Sequence, residues 1–179
     1  MNKFLFLLIG LCNSLIAQER IGFLSEKIDF SITSLSFDVN GIYTFTNDSE
    51  NEIYQIIIFP FSVSSDSINV KRVYNLTYSK NLIFNKITNG IAFNLNVLSK
   101  DTVNVNISYC QKTEKENIYI LESTQTWSTP LQKADYSLTF DNSIEIDSLS
   151  LRPDFFFDNV YYWNKTDFYP NENFKIWIK

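Results

Sequence analysis

Apolar and polar side chains alternate repeatedly along this chain, and that period limits what it can fold into. Val103, Val105, Ile107 and Tyr109 occupy every second position, as do Ile91, Phe93, Leu95 and Val97. Ile28, Phe30 and Ile32, then Tyr136, Leu138 and Phe140, and finally Phe174, Ile176 and Ile178 repeat the pattern. Period 2 sets one side of a strand on a core and the other toward water. The run Ile56-Ile57-Ile58-Phe59 is apolar without a break, which predicts a strand covered on both faces and ending at Pro60, where a ladder donor is missing. After residue 17 no stretch carries a convincing helical period. About ten or eleven short strands without helical crossovers predict an all-β fold, an antiparallel two-sheet immunoglobulin-like sandwich of about ten strands.

One segment sets two signals against each other. In LSFDVNGIYTFTN, Asn40-Gly41 is a two-residue hairpin signal. A turn there would place the aromatic residues of its two arms on opposite faces. Read straight through, Leu35, Phe37, Val39, Tyr43 and Phe45 share one face. The periodicity therefore predicts one long strand over 35–46, with Gly41 at a bulge or a close backbone approach. Asn89-Gly90, between LIFNKIT and IAFNLNV, is predicted to be a true turn.

The first residues read MNKFLFLLIGLCNSLIAQ. Lys3, the apolar run Phe4–Leu11 and the small Ala17 before Gln18 form the pattern of a secretory signal peptide over 1–17. It predicts a mature chain in the periplasm or outside the cell, with residues 18–179 as a single domain. Cys12 follows the apolar run as a lipid-modified cysteine would, but Leu11 is too bulky for that processing. No later run approaches about 18 apolar residues, so no transmembrane anchor is expected after cleavage. Loss of Lys3 with the signal peptide takes the net charge from −5 to −6, which argues against a nucleic-acid partner.

The chain contains no histidine. That removes Ser-His-Asp and Cys-His nucleophilic systems and the usual zinc sites. Gly22, Gly41 and Gly90 are too scattered for a phosphate-cradling loop. Cys110, the one cysteine after cleavage, ends the alternating run VNVNISYC and reads as a packed strand residue. Asp154 and Asp158 flank Phe155–Phe157 and are the most suggestive carboxylate pair for glycoside hydrolysis, although solvated loop ends explain them as well. The segment NDSENE, 47–52, clusters oxygen donors but lacks the spacing and glycine of a calcium loop, so it reads as a polar turn. No catalytic residue, metal or cofactor is assigned.

The order of several segments resembles a group of uncharacterised exported bacterial domains. In that group a Y-x-F-x-N strand precedes an F-P corner, and a T-x-x-W-x-x-P-L-x-x-A-x-Y segment follows a Y-x-Q strand. The matching residues are Tyr43, Phe45, Asn47, Phe59, Pro60, Tyr109, Gln111, Thr124, Trp127, Pro130, Leu131, Ala134 and Tyr136. The resemblance spans about residues 35–140 and implies a secreted or periplasmic immunoglobulin-like sandwich, with no activity or site to carry over. Trp127, before the Ser128-Thr129-Pro130 turn, is expected to close the edge of the core, with its indole N–H on a carbonyl.

The segment PDFFFDNVYYWNKTDFYP, 153–170, is crowded with rings that do not keep period 2, so some must cover a second surface or meet solvent. Wrapping the end of the sandwich accounts for most of them. As a binding surface, its candidates are Tyr161, Tyr162 and Trp163, since exposed aromatic clusters mark interaction sites. The expected function is that of a non-enzymatic secreted or envelope β-domain acting through protein contact, its partner another envelope or secreted protein. The alternatives are a carbohydrate-binding module that stacks a glycan on these rings and, last, a carboxylate-dependent hydrolase.

Overall fold

The computed structural model describes residues 19–127 and 129–179. The expected signal peptide and Cys12 lie outside them. Among the described residues fourteen strands run in chain order as β1 Gly22–Ile32, β2 Ser36–Thr46, β3 Ile53–Pro60, β4 Ile68–Asn75 and β5 Lys80–Asn81. They continue as β6 Phe84–Ile87, β7 Gly90–Val97, β8 Thr102–Lys112, β9 Glu116–Tyr119 and β10 Leu131–Phe140. The last four are β11 Ile146–Leu149, β12 Phe155–Phe157, β13 Val160–Phe168 and β14 Phe174–Ile178. The helical segments among the described residues are 3-10 turns at Ser65–Ser67 and Glu122–Trp127.

The strands form three sheets, so the molecule is nearly all β, as its periodicity requires. The largest has eight strands in the order β12-β13-β10-β1-β2-β8-β4-β5, and two three-stranded sheets are ordered β11-β14-β9 and β3-β7-β6. This differs from the expected two antiparallel sheets. Within the large sheet β1 and β10 run parallel, with Ile28 opposite Tyr136 and Phe30 opposite Leu138. The extra strands are short ones, such as β5 and β12, too brief to show a period of their own, and each pairs with its neighbour in the chain, β4 and β13.

The core lies between the large sheet and the two small ones. Phe30 on β1 stacks on Phe174 of β14 at 4.9 Å, and Tyr43 on β2 meets Phe59 of β3 edge-on at 5.2 Å. Phe61, just beyond β3, packs on Tyr109 of β8 at 4.8 Å. Stacked and tilted aromatic contacts at these separations add to the burial of the rings themselves.

β2 runs unbroken through Asn40-Gly41, paired on one side with β1 and on the other with β8 in continuous register. Phe37, Val39, Tyr43 and Phe45 are all buried. Leu35 does not join them; it stands before the strand and is 80% exposed. Gly41 carries no bulge. A Cβ there would lie 2.3 Å from the Tyr43 hydroxyl, so the missing side chain is filled by the Tyr43 ring folding back over the strand.

Two other expectations shift. β6 and β7 form the predicted hairpin, but Ile87 pairs with Gly90, so the turn residues are Thr88 and Asn89. Gly90 is required instead because the Phe59 carbonyl would sit 2.5 Å from its Cβ. The Ile56–Phe59 run is covered on one face only: Ile57 and Phe59 are buried, whereas Ile56 and Ile58 are 65% and 64% exposed.

Candidate functional site

β1 carries a carboxyl group into the core. Glu26 is in phase with Ile28, Phe30 and Ile32, opposite Tyr43 on β2 and Ala134 on β10, and is 3% exposed. Its partners are hydroxyls. Tyr136 donates to Glu26 Oε1, and Tyr119 donates to Oε2 at 3.1 Å. The Tyr43 and Tyr119 hydroxyls are 3.1 Å apart. A hydroxyl has one proton to give, so with Tyr119 donating to Glu26, Tyr43 donates to Tyr119. The result is a chain of donors directed at one carboxylate from β2, β9 and β10. None of the ion pairs among the described residues includes Glu26.

Burial without a cation raises the Glu26 carboxyl from its usual range to about 7, against the lowering effect of the Tyr136 and Tyr119 hydrogen bonds. The same burial, reinforced by the Glu26 charge, pushes the Tyr43, Tyr119 and Tyr136 hydroxyls well above their ordinary values. A cavity of about 40 Å³ adjoins the carboxyl group. Phe23, Tyr43, Phe45, Phe59, Tyr119 and Trp127 contribute rings to its wall. Six residues of the segments that carried the family resemblance meet at this wall: Tyr43, Phe45, Phe59, Pro60, Thr124 and Trp127.

Trp127 ends the 3-10 turn and is half-buried, its ring 5.6 Å from both Phe23 and Phe45. It therefore belongs to the edge of the core, but it also divides two spaces. On its other side lies an open groove of about 300 Å³ lined by Arg20, Ile21, Gln55 and Ile56–Ile58 with Ser123 and Thr126. Ile57, Ile58, Ser123 and Trp127 are common to the walls of both spaces.

The groove follows the outer edge of β3. On its inner side β3 pairs with β7, and the Phe61 amide donates to the Asn89 carbonyl at 2.9 Å just past the ladder. Hydrogen-bonded and non-bonded pairs alternate along an antiparallel ladder. Counting back from Phe61, the backbone groups of Phe59, Ile57, Gln55 and Ile53 point to β7, and those of Tyr54, Ile56 and Ile58 point away. Pro60, which has no N–H, falls on the outward set, where the sheet does not need one. Tyr54, Ile56 and Ile58 also carry the outward side chains, and Tyr54 is 73% exposed.

The expected aromatic surface at 161–163 is arranged differently. Trp163 is fully buried, opposite Tyr136, with its indole N–H donating to the Leu151 carbonyl at 3.0 Å. Its ring has no free face for a ligand. Tyr161 shares that inner side, stacked on Phe140 at 5.7 Å. Tyr162 is on the outer side, stacked on Phe155 at 4.8 Å and 16°. The exposed rings of this segment are Tyr169 and those of β12, where Phe155, Phe156 and Phe157 are 50%, 52% and 70% exposed.

Asp154 and Asp158 stand at opposite ends of β12, with about 13 Å of extended chain between their Cα positions. Lys165, 2.6 Å away, and the Asn164 amide hold Asp154 below the usual carboxylate range. Asp158 and Asn159 have φ of 50° and 59°, the conformation of a type I′ hairpin turn. The NDSENE segment is a turn organised by Asn47, which is fully buried. Its Nδ2 donates to the carbonyls of Asn51, Val97 and Leu98, and its Oδ1 accepts from the Ser49 amide. Cys110 stands on strand β8 as expected, but half-buried and in phase with Asn104 and Ser108 rather than with the core residues.

Glu26 and the outer edge of β3 were not singled out in the sequence. The alternation from Ile28 continues back to Glu26, and a charged residue in phase with a core face was the available signal. Nothing local marks β3 as an edge strand, because its neighbour is decided by β7.

No family model matches the chain, and no curated protein does. Solved structures do share its fold. A proposed nutrient-binding protein from Legionella pneumophila superposes with a TM-score of 0.65 and 14% identity, over 90% of this chain and 67% of that one. An M1 zinc metallopeptidase from Deinococcus radiodurans gives 0.54 and 8% over 88% of this chain. The yeast LTA4 hydrolase gives 0.52 and 10% over 88%. This chain spans 42% of the Deinococcus enzyme and 28% of the yeast enzyme, so the likeness is one of fold, confined to part of each larger peptidase or hydrolase.

Proposed function

We propose that this chain is a non-enzymatic, exported β-domain that works by protein contact, its β3 edge completed by an extended strand of another envelope or secreted protein. The observation that supports this best is the coincidence, at Tyr54, Ile56 and Ile58, of outward backbone donors and acceptors with exposed apolar side chains. An edge of this kind is a template for strand addition unless charge, bulges or cover blunt it. Residues 53–60 carry no charge and no bulge interrupts their register with β7. Arg20 is the charged residue on the groove wall, which favours an incoming strand with an acidic residue at that end. The fold's occurrence as part of larger chains is consistent with a domain that acts alongside another.

A photo-reactive side chain at position 56 should yield one discrete cross-linked protein in the producing cell, whereas the same group at Thr166, on β13, should not. Ile56→Lys should abolish the adduct formed from position 58. Equal yields of diffuse adducts from positions 56 and 166 would count against the reading.

A second reading, glycan binding, draws on the exposed β12 rings and on the polar face beside them. A shallow groove of about 390 Å³ there is lined by residues including Lys27, Asp29, Asp135, Tyr162 and Asn164. The Phe155–Tyr162 stack weakens it, because each ring covers one face of the other. Phe155→Ala should reduce retention on an immobilised glycan array if this face binds sugars, and leave it unchanged if the β3 edge is the working surface.

A further inference from the structure

We propose that the cavity beside Glu26 is a binding site for an alkylammonium group, with the Glu26 carboxylate as its counter-charge. This does not depend on strand addition at β3. The carboxylate has about four acceptor positions and the two tyrosine hydroxyls occupy two of them, which leaves capacity for a further donor. The cavity is about 40 Å³, enough for a water-sized head group such as an ammonium. Its wall of Phe23, Tyr43, Phe45 and Trp127 presents aromatic rings, which attract cations through their faces.

Among the described residues, the groups facing Glu26 do not already supply a positive charge. Tyr43 of β2, Tyr109 of β8, Tyr119 of β9 and Tyr136 of β10 are the titratable residues coupled to it, and all are neutral phenols at ordinary pH. The cavity is not enclosed but opens to solvent, which gives a ligand's alkyl tail a path outward past its apolar lining of Ile57, Ile58 and Trp127. The site thus combines a desolvated anion, an aromatic wall and an apolar exit, the complement of a protonated amine on a short chain. Cation binding favours the ionised carboxyl group, so affinity should rise as pH increases toward and past 7.

Titration with n-butylammonium, followed by calorimetry and tryptophan emission, tests this directly, with n-butanol as the uncharged control of similar shape. Saturable binding at least about tenfold tighter than butanol is expected, together with tighter binding at about pH 8 than at about pH 5. Glu26→Gln should remove both the preference and the pH dependence. A capped lysine in a parallel titration separates a protein side chain from a free amine as the source of the ammonium group. Equal affinity for butanol, or pH-independent binding by the wild-type chain, would overturn the proposal whether or not the variant folds.

Discussion

At Glu26 the carboxyl group has hydroxyl donors and, among the described residues, no cation, whereas Asp38 and Asp135 nearer the surface pair with Lys71 and Lys133. The difference fixes opposite pH dependences. Partial burial raises Asp38 and Asp135, but hydrogen bonds from Lys71 and Ser36 to the first and from Lys133 and Asn164 to the second, joined by the lysine charges, lower both on balance, so whatever they contribute is present above about pH 4 and lost on acidification. Glu26 is raised from 4.5 to about 7, so the folded state binds the proton more tightly than the unfolded state. Its contribution is fully present below about pH 4.5 and falls as pH rises to about 7, by about 3 kcal/mol in all. With no histidine in the chain, few other groups titrate in that window. The urea midpoint should therefore fall between about pH 5 and about pH 8, and Glu26→Gln should flatten the profile. Gly41→Ala should cost about 1–3 kcal/mol by displacing the Tyr43 ring and opening the hydroxyl chain, measured by denaturant titration. Trp127→Ala should cost about 2 kcal/mol, less than a fully buried ring, because the indole is half-buried against Phe23 and Phe45. At this scale the core residues of β2 were legible from their spacing. Glu26 was not, because a charge in phase with a core face makes sense only when its tyrosine partners from β9 and β10 are in view.

Single elements were legible where burial on one face enforced the period. β2 kept its register through Asn40-Gly41 because a turn there would have turned its aromatic residues to opposite faces, which outweighs the preference of the dipeptide. β3 was misread because an unbroken apolar run normally means cover on both faces, and here the outer face is bare. The short hairpin of β12 and β13 was also missed: Asp158-Asn159 supplies two left-handed residues, a turn signal masked by the surrounding rings. Asn159→Gly should leave stability unchanged or slightly higher, whereas Asn159→Val should lose about 1–2 kcal/mol, as read by thermal unfolding. The loss should also expose Tyr161 and Tyr162, which β12 covers through Phe156 and Phe155.

At the scale of the whole molecule, the all-β class followed from period 2, but the arrangement of sheets did not. The parallel neighbours β1 and β10 are about a hundred residues apart in sequence, and their pairing is decided by the core they share rather than by any local turn. The same arrangement leaves β3 at the rim of its sheet, its outward groups beside the groove at Trp127, where the proposed strand addition would take place. Site-resolved amide hydrogen exchange on the purified chain measures that openness directly. The amides of Tyr54, Ile56 and Ile58 should exchange quickly while those of Gln55, Ile57 and Phe59 are protected by β7. Equal protection along residues 54–59 would mean that the edge is already covered, and would contradict the proposed strand addition.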